Sequence, residues 1–163
     1  MTFKETVIER LQGFRPNRMI CFAIDESPNT LATIQSALGS LIDPKSDLVV
    51  LLHCMKDAFE VLKYDNWSGS FEDYQNIIQI VDREYHTKGT NMLNEAAKQF
   101  NLANVQVEAI LLRGEPKYTL VEEIEQLKPN FVVVSKGKVD GQVSEIPYYF
   151  AHTLKIPILI YTF

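Results

Sequence analysis

The chain has only two cysteines, Cys21 and Cys54, and both sit inside apolar segments. That is too few for a disulfide scaffold, so two buried, reduced thiols are expected, with a redox pair as the alternative. No apolar run reaches the roughly 20 residues that a membrane-spanning helix needs. The opening stretch, MTFKETVIERLQGFRPNR, lacks both an apolar core and a small-residue cleavage site, and is not expected to be a secretory signal. The sequon at Asn66-Trp67-Ser68 therefore carries little meaning. An excess of basic charge is also missing. Sixteen Lys and Arg stand against 21 Asp and Glu, a net charge of -5, which opposes generic nucleic-acid binding. A cytoplasmic protein with neither nucleic acid nor membrane as partner is expected. Two nucleotide signatures are absent as well: the first strand runs into IDESPNT rather than Gly-x-Gly-x-x-Gly, and no Gly-x-x-x-x-Gly-Lys-Ser/Thr occurs.

What is present is an α/β pattern. The 163 residues, 46% hydrophobic and 23% charged, suit one domain with a substantial core. Five β-branched runs, at 19–24, 47–54, 105–112, 131–135 and 157–162, are nearly continuous, as in parallel strands covered on both faces. Helical segments alternate with them. The first, from Asn29, is predicted to bury a stripe of Leu31, Ile34, Leu38, Leu41 and Ile42. A polar loop around KYDNWSGS leads to a long helix over 71 to about 100, with Phe71 and Tyr74 on its apolar face and Gly89 as a point where it could bend or divide. Residues 1–17 form an amphipathic extension, with Phe3, Val7, Leu11 and Phe14 on one side, ahead of the domain over 18–163. The fold expected is a doubly wound, Rossmann-like, five-stranded parallel sheet of order 3-2-1-4-5.

Such sheets bind ligands beyond the carboxyl ends of their strands. That directs attention to Asp25 to Ser27, Cys54 to Asp57, Arg113 to Pro116 and Ser135 to Ser144. A phospho-receiver domain would need an aspartate ending a central strand, and none of the candidate ends is acidic.

Four stretches in order, IDESPNTLATIQSAL, DLVVLLHCM, LLRGEPKYTLVEEIEQLKPNFVVVSKGK and AHTLKIPILIY, resemble the universal stress protein family from about Asn17 to Phe163. The resemblance implies a five-stranded parallel sheet and commonly a dimer through the last strand, here Ile156 to Phe163. An apolar strand at a sheet edge also invites pairing on its own account. One branch of the family binds ATP through a loop of Gly, two residues, Gly, nine residues, then Gly and a hydroxyl residue. Gly137 matches the first glycine and Gly141 stands near the second; Ser144 and Glu145 replace the final pair, leaving the loop about six residues short.

Ser144 is expected to cap the following helix, and Glu145 in its first turn to complement the dipole where a phosphate would dock. Lys136 and Lys138 could reach phosphates. Asp25 matches the family's aspartate, which implies a hold on a ribose hydroxyl or the base edge, and on its own reading caps the next turn; Ser27 caps a helix or touches ligand, and Gly114 serves a tight Gly-x-Pro turn. The candidate ligand-binding set is Asp25, Ser27, Cys54, Gly114, Lys136, Gly137, Gly141 and Ser144, with His53 also at a strand end. No catalytic or metal-ligating set stands out. The expected function is a non-enzymatic, homodimeric protein with a degenerate adenine-nucleotide site, weak for ATP or AMP, acting through an unidentified protein partner. The alternative is an ATP-binding switch or slow ATPase.

Overall fold

The structure, a computed structural model, describes residues 14–63, 68–139 and 141–163. Residues 1–13 of the N-terminal extension and Asn66-Trp67 of the sequon lie outside the described residues. Phe14, inside them, packs against the core.

Strands β1 (Arg18–Ala23), β2 (Asp47–Met55), β3 (Gln106–Arg113) and β4 (Phe131–Lys136) form one parallel sheet with β7 (Ile158–Thr162), in the order β3-β2-β1-β4-β7. The expected topology holds, and each strand boundary falls within about a residue of the apolar run that announced it. Every residue of β2 is buried, which is why DLVVLLHCM reads as a continuous run rather than an alternation.

Alternate residues of β1 feed two cores. Met19 and Cys21 face α4 (Pro116–Leu127) and α5 (Ile146–Thr153), meeting Leu120, Ile124 and Phe150. Ile20, Phe22 and Ile24 face α1 (Asn29–Ser40) and α3 (Phe71–Leu102), meeting Ile34, Leu93 and Phe100. Phe22 and Phe100 pack edge to face with centroids 5.2 Å apart. At the start of the sheet, Arg18 donates from Nε to Asp47 Oδ1 at 2.8 Å and from its terminal nitrogen to Oδ2 at 2.5 Å. Asp47 is wholly buried, so this fork and the Asp43 N–H at 2.7 Å neutralise and satisfy a carboxylate that would otherwise be costly there.

Three helical expectations need correction. Leu31 is 47% exposed; the buried side of α1 is Thr30, Thr33, Ile34 and Ala37. The Thr30 hydroxyl bonds Asp25 Oδ1 and carbonyl, which turns that side of the helix inward. Gly89 neither bends nor divides α3, which runs unbroken for 32 residues. An added Cβ there would lie 2.7 Å from Leu111 Cδ1 and 3.1 Å from His53 Cδ2, so the glycine lets the helix backbone approach the sheet. Residues 71–88 of α3 include no buried residue, and Phe71 is 76% exposed rather than on a covered face. A short helix, α2 (Ala58–Leu62), packs on this amino half, with Phe59 edge to face against Tyr74.

After β4 the chain makes a small antiparallel hairpin, β5 (Lys138–Val139) and β6 (Gln142–Val143), where the sequence suggested an open glycine loop. Among the described residues, no helix is long and apolar enough to cross a membrane.

Candidate functional site

The chain winds β1-β2-β3 toward one edge and then returns to β4 on the other side of β1. The carboxyl ends of β1 and β4 therefore splay their connections apart and open a crevice. A cleft of about 500 Å³ lies there, a size that suits a nucleoside-sized molecule. Its walls come from the turn after β1, the ends of β2 and β3, the hairpin and the start of α5, and one side of α3.

Three members of the candidate set line it: Asp25, Cys54 and Ser144. Asp25 Oδ1 accepts from the Ser27 N–H at 3.0 Å and the Thr30 hydroxyl at 3.1 Å. Both bonds fall on one oxygen, and Oδ2 accepts none from the described residues. The carboxylate is thus held by its own turn with one oxygen left over for a hydroxyl donor. Cys54 is buried, and burial pushes its thiol up from 9.0 to about 11; Cys21, deeper in the sheet, is pushed up further by the same cause. Neither supplies a thiolate near neutrality.

The other five stand outside the lining. Ser27 is buried beneath the β1–α1 turn, where its hydroxyl accepts from the Asn29 N–H at 3.3 Å and its carbonyl from the Thr30 N–H at 3.2 Å. Gly114, with φ +141°, shapes the turn after β3, and its N–H bonds the Met55 carbonyl at 3.1 Å. Lys136 turns its ammonium over the Tyr148 ring, 5.5 Å from the centroid. Gly137 is buried, and a Cβ there would come within 2.3 Å of Ser27 Oγ; its missing side chain makes room for Ser27. Gly141, with φ +79°, sits in the hairpin turn with nothing near its absent side chain. Ser144 is not the N-cap: the helix starts at Ile146, with Glu145 in the cap position making no side-chain cap bond. From one residue before the cap position, the Ser144 hydroxyl accepts from the Ile146 N–H at 3.4 Å, and the Ser144 N–H closes the hairpin on the Gly137 carbonyl at 2.9 Å.

The cleft also holds residues the sequence did not single out, Tyr85 and Lys88 on α3 and Lys117 on α4, beside Lys56 and Glu115 from the stretches after β2 and β3 that it did. Lys88 bonds Glu26 at 2.5 Å, tying α3 to the β1 turn. Lys117 lies over the Tyr118 ring at 5.2 Å. Their lysines and tyrosine alternate with ordinary surface residues on amphipathic helices, so no spacing marks them; only the docking of α3 beside β2 does. Among the described residues, three lysines and four carboxylates face the cleft, a balance that does not favour a polyanion. No cluster of His, Cys, Asp and Glu among them could hold a metal ion.

The fold is similar to that of the hypothetical protein MJ0577, with a TM-score of 0.72 at 14% identity over 90% of this chain and 96% of that one. A universal stress protein family protein from Arabidopsis thaliana with AMP bound gives 0.61 at 18% identity, covering 89% and 91%. The universal stress protein from Archaeoglobus fulgidus in complex with dAMP gives 0.57 at 13%, covering 90% and 98%. No curated protein sequence matches the chain significantly. Identities this low speak for the fold alone. The model of the universal stress protein family, however, matches residues 16–160, nearly the whole length, and the chain therefore belongs to the universal stress protein family.

Proposed function

We propose that this protein is a non-enzymatic member of its family that holds an adenine nucleotide weakly, by its adenosine end, and acts in the cytoplasm as a homodimer through a protein partner. One observation carries the reading: the groups that would grip a triphosphate are turned to other work. Gly137 is packed on Ser27, Gly141 forms the hairpin turn, Lys136 lies over Tyr148, and Glu145 stands at the start of α5. A carboxylate there competes for the positive end of the helix that a phosphate would use. The adenosine end keeps its means, with Asp25 Oδ2 available for a ribose hydroxyl and an apolar floor at Ile24 and Leu120. The relatives bound to AMP and dAMP support a monophosphate as the ligand class.

The competing reading, an ATP-binding switch or slow ATPase, draws on Lys56, Lys88 and Lys117, but Lys88 is already engaged with Glu26. Isothermal titration with ATP, with and without Mg²⁺, and then AMP separates the two. Similar, weak binding of both nucleotides is expected. Micromolar ATP affinity exceeding that for AMP would replace this reading with the switch.

A further inference from the structure

His53, two residues before the end of β2, is buried, 8% exposed, and lines the cleft beside Cys54. Its Nδ1 lies 2.9 Å from the Ile24 carbonyl, a group that only accepts. In the neutral ring Nδ1 must therefore carry the proton, leaving Nε2 as a bare acceptor. The ring is also fixed from the other side, where the backbone of Gly89 comes so close that a Cβ would touch Cδ2 at 3.1 Å and lie 3.6 Å from Nε2. Nε2 makes no bond with a described residue. Among those residues, the one fully buried side-chain polar atom without a partner is the Thr33 hydroxyl, so Nε2 retains access to solvent, and the cleft is what the ring lines.

A tautomer held by a carbonyl and an orientation held by a glycine together make a preset acceptor with an unfilled valence. We propose that His53 is a specificity-determining residue whose Nε2 accepts a hydrogen bond from an amino group on the ligand's base, selecting a 6-amino purine over a 6-oxo purine. The inference rests on the adenine-site reading above and adds which group reads the base. A 6-amino group donates to Nε2, whereas a 6-oxo group sets one acceptor against another, and a mismatched buried polar contact of this kind costs affinity strongly.

The test is titration of the full chain at pH 8 with AMP and with IMP, for the wild type, His53→Asn and His53→Gln. Asn places a donor where Nδ1 was, keeping the bond to Ile24 while removing the Nε2 acceptor. AMP is expected to bind at least about tenfold more tightly than IMP, with the preference lost in His53→Asn. His53→Gln, which can present an oxygen near the Nε2 position, should recover part of it. In parallel, the imidazole ¹⁵N signal of an unprotonated Nε2 should shift toward the hydrogen-bonded range on adding AMP and stay unmoved with IMP. Equal binding of AMP and IMP, or a preference that survives in a folded His53→Asn, would overturn the role of His53 while leaving the adenosine site standing. No binding of either nucleotide would overturn both readings. Thermal unfolding of each variant shows whether the bond to Ile24 has been kept.

Discussion

At the scale of single residues, the cleft is made of groups that serve the fold first. Asp25 braces its own turn, Ser27 occupies the space beside Gly137, and His53 ties β2 to β1. Cys54 shows how such placement sets chemistry. It lines the cleft, yet burial moves its thiol from 9.0 to about 11. Alkylation at pH 8 should therefore run at least about a hundredfold slower than in urea, where a free thiol ionises near 8.5. The same shift links to stability. The folded thiol holds its proton where the unfolded one has lost it, so this contribution is intact below about pH 9 and is lost as pH climbs toward 11. Equal labelling rates in folded and unfolded protein at pH 8 would contradict the burial described.

At the scale of elements, the exit from β4 decides what the site can hold. Replacing Gly137 by Ala would drive a Cβ to 2.3 Å from Ser27 Oγ and 2.5 Å from Ser27 Cβ. The loop would have to move, at a cost of about 2 kcal/mol with no nucleotide present. Ser27→Gly in the same chain should return much of that loss, and a double-mutant cycle by urea unfolding measures the coupling. A Gly137→Ala chain of unchanged stability would remove the structural role assigned to this glycine.

The strands were legible in the sequence because both faces of each central strand are covered, which leaves continuous apolar runs. The hairpin was not, since two-residue strands of Lys, Val and Gln carry no periodic signal and Gly141 reads equally as turn or phosphate loop. That Asp25 and Ser144 would meet at one crevice was legible from topology, because a doubly wound sheet fixes which loops come together. Leu31 misled because hydrophobic spacing does not say how a helix is rotated when a threonine is held inward by hydrogen bonds. Tyr85 and Lys88 could be found only once α3 was docked beside the site.

At the scale of the whole molecule, the sheet has two edges and treats them differently. β7 leaves Leu159 39% and Ile160 36% exposed, and Phe163 beyond it is 64% exposed with its ring stacked on Tyr161. An apolar edge of this sort is a template for another strand. Light scattering on the size-exclusion peak should give twice the chain's mass at micromolar concentration, and Ile160→Lys should shift it to the monomer. A wild-type monomer under those conditions would set aside the dimer proposed above.

The length of α3 also has a mechanical meaning. Its carboxyl half is seated on the sheet from Gly89 onward, while the eighteen residues before it reach about 27 Å outward with no buried side chain. That amino half is nonetheless tied back to the body of the protein: both guanidinium nitrogens of Arg113, at the end of β3, bond the Asp82 carboxylate, and Phe59 of α2 rests on Tyr74, so the cleft-lining Tyr85 and Lys88 stand on a stretch pinned on both sides.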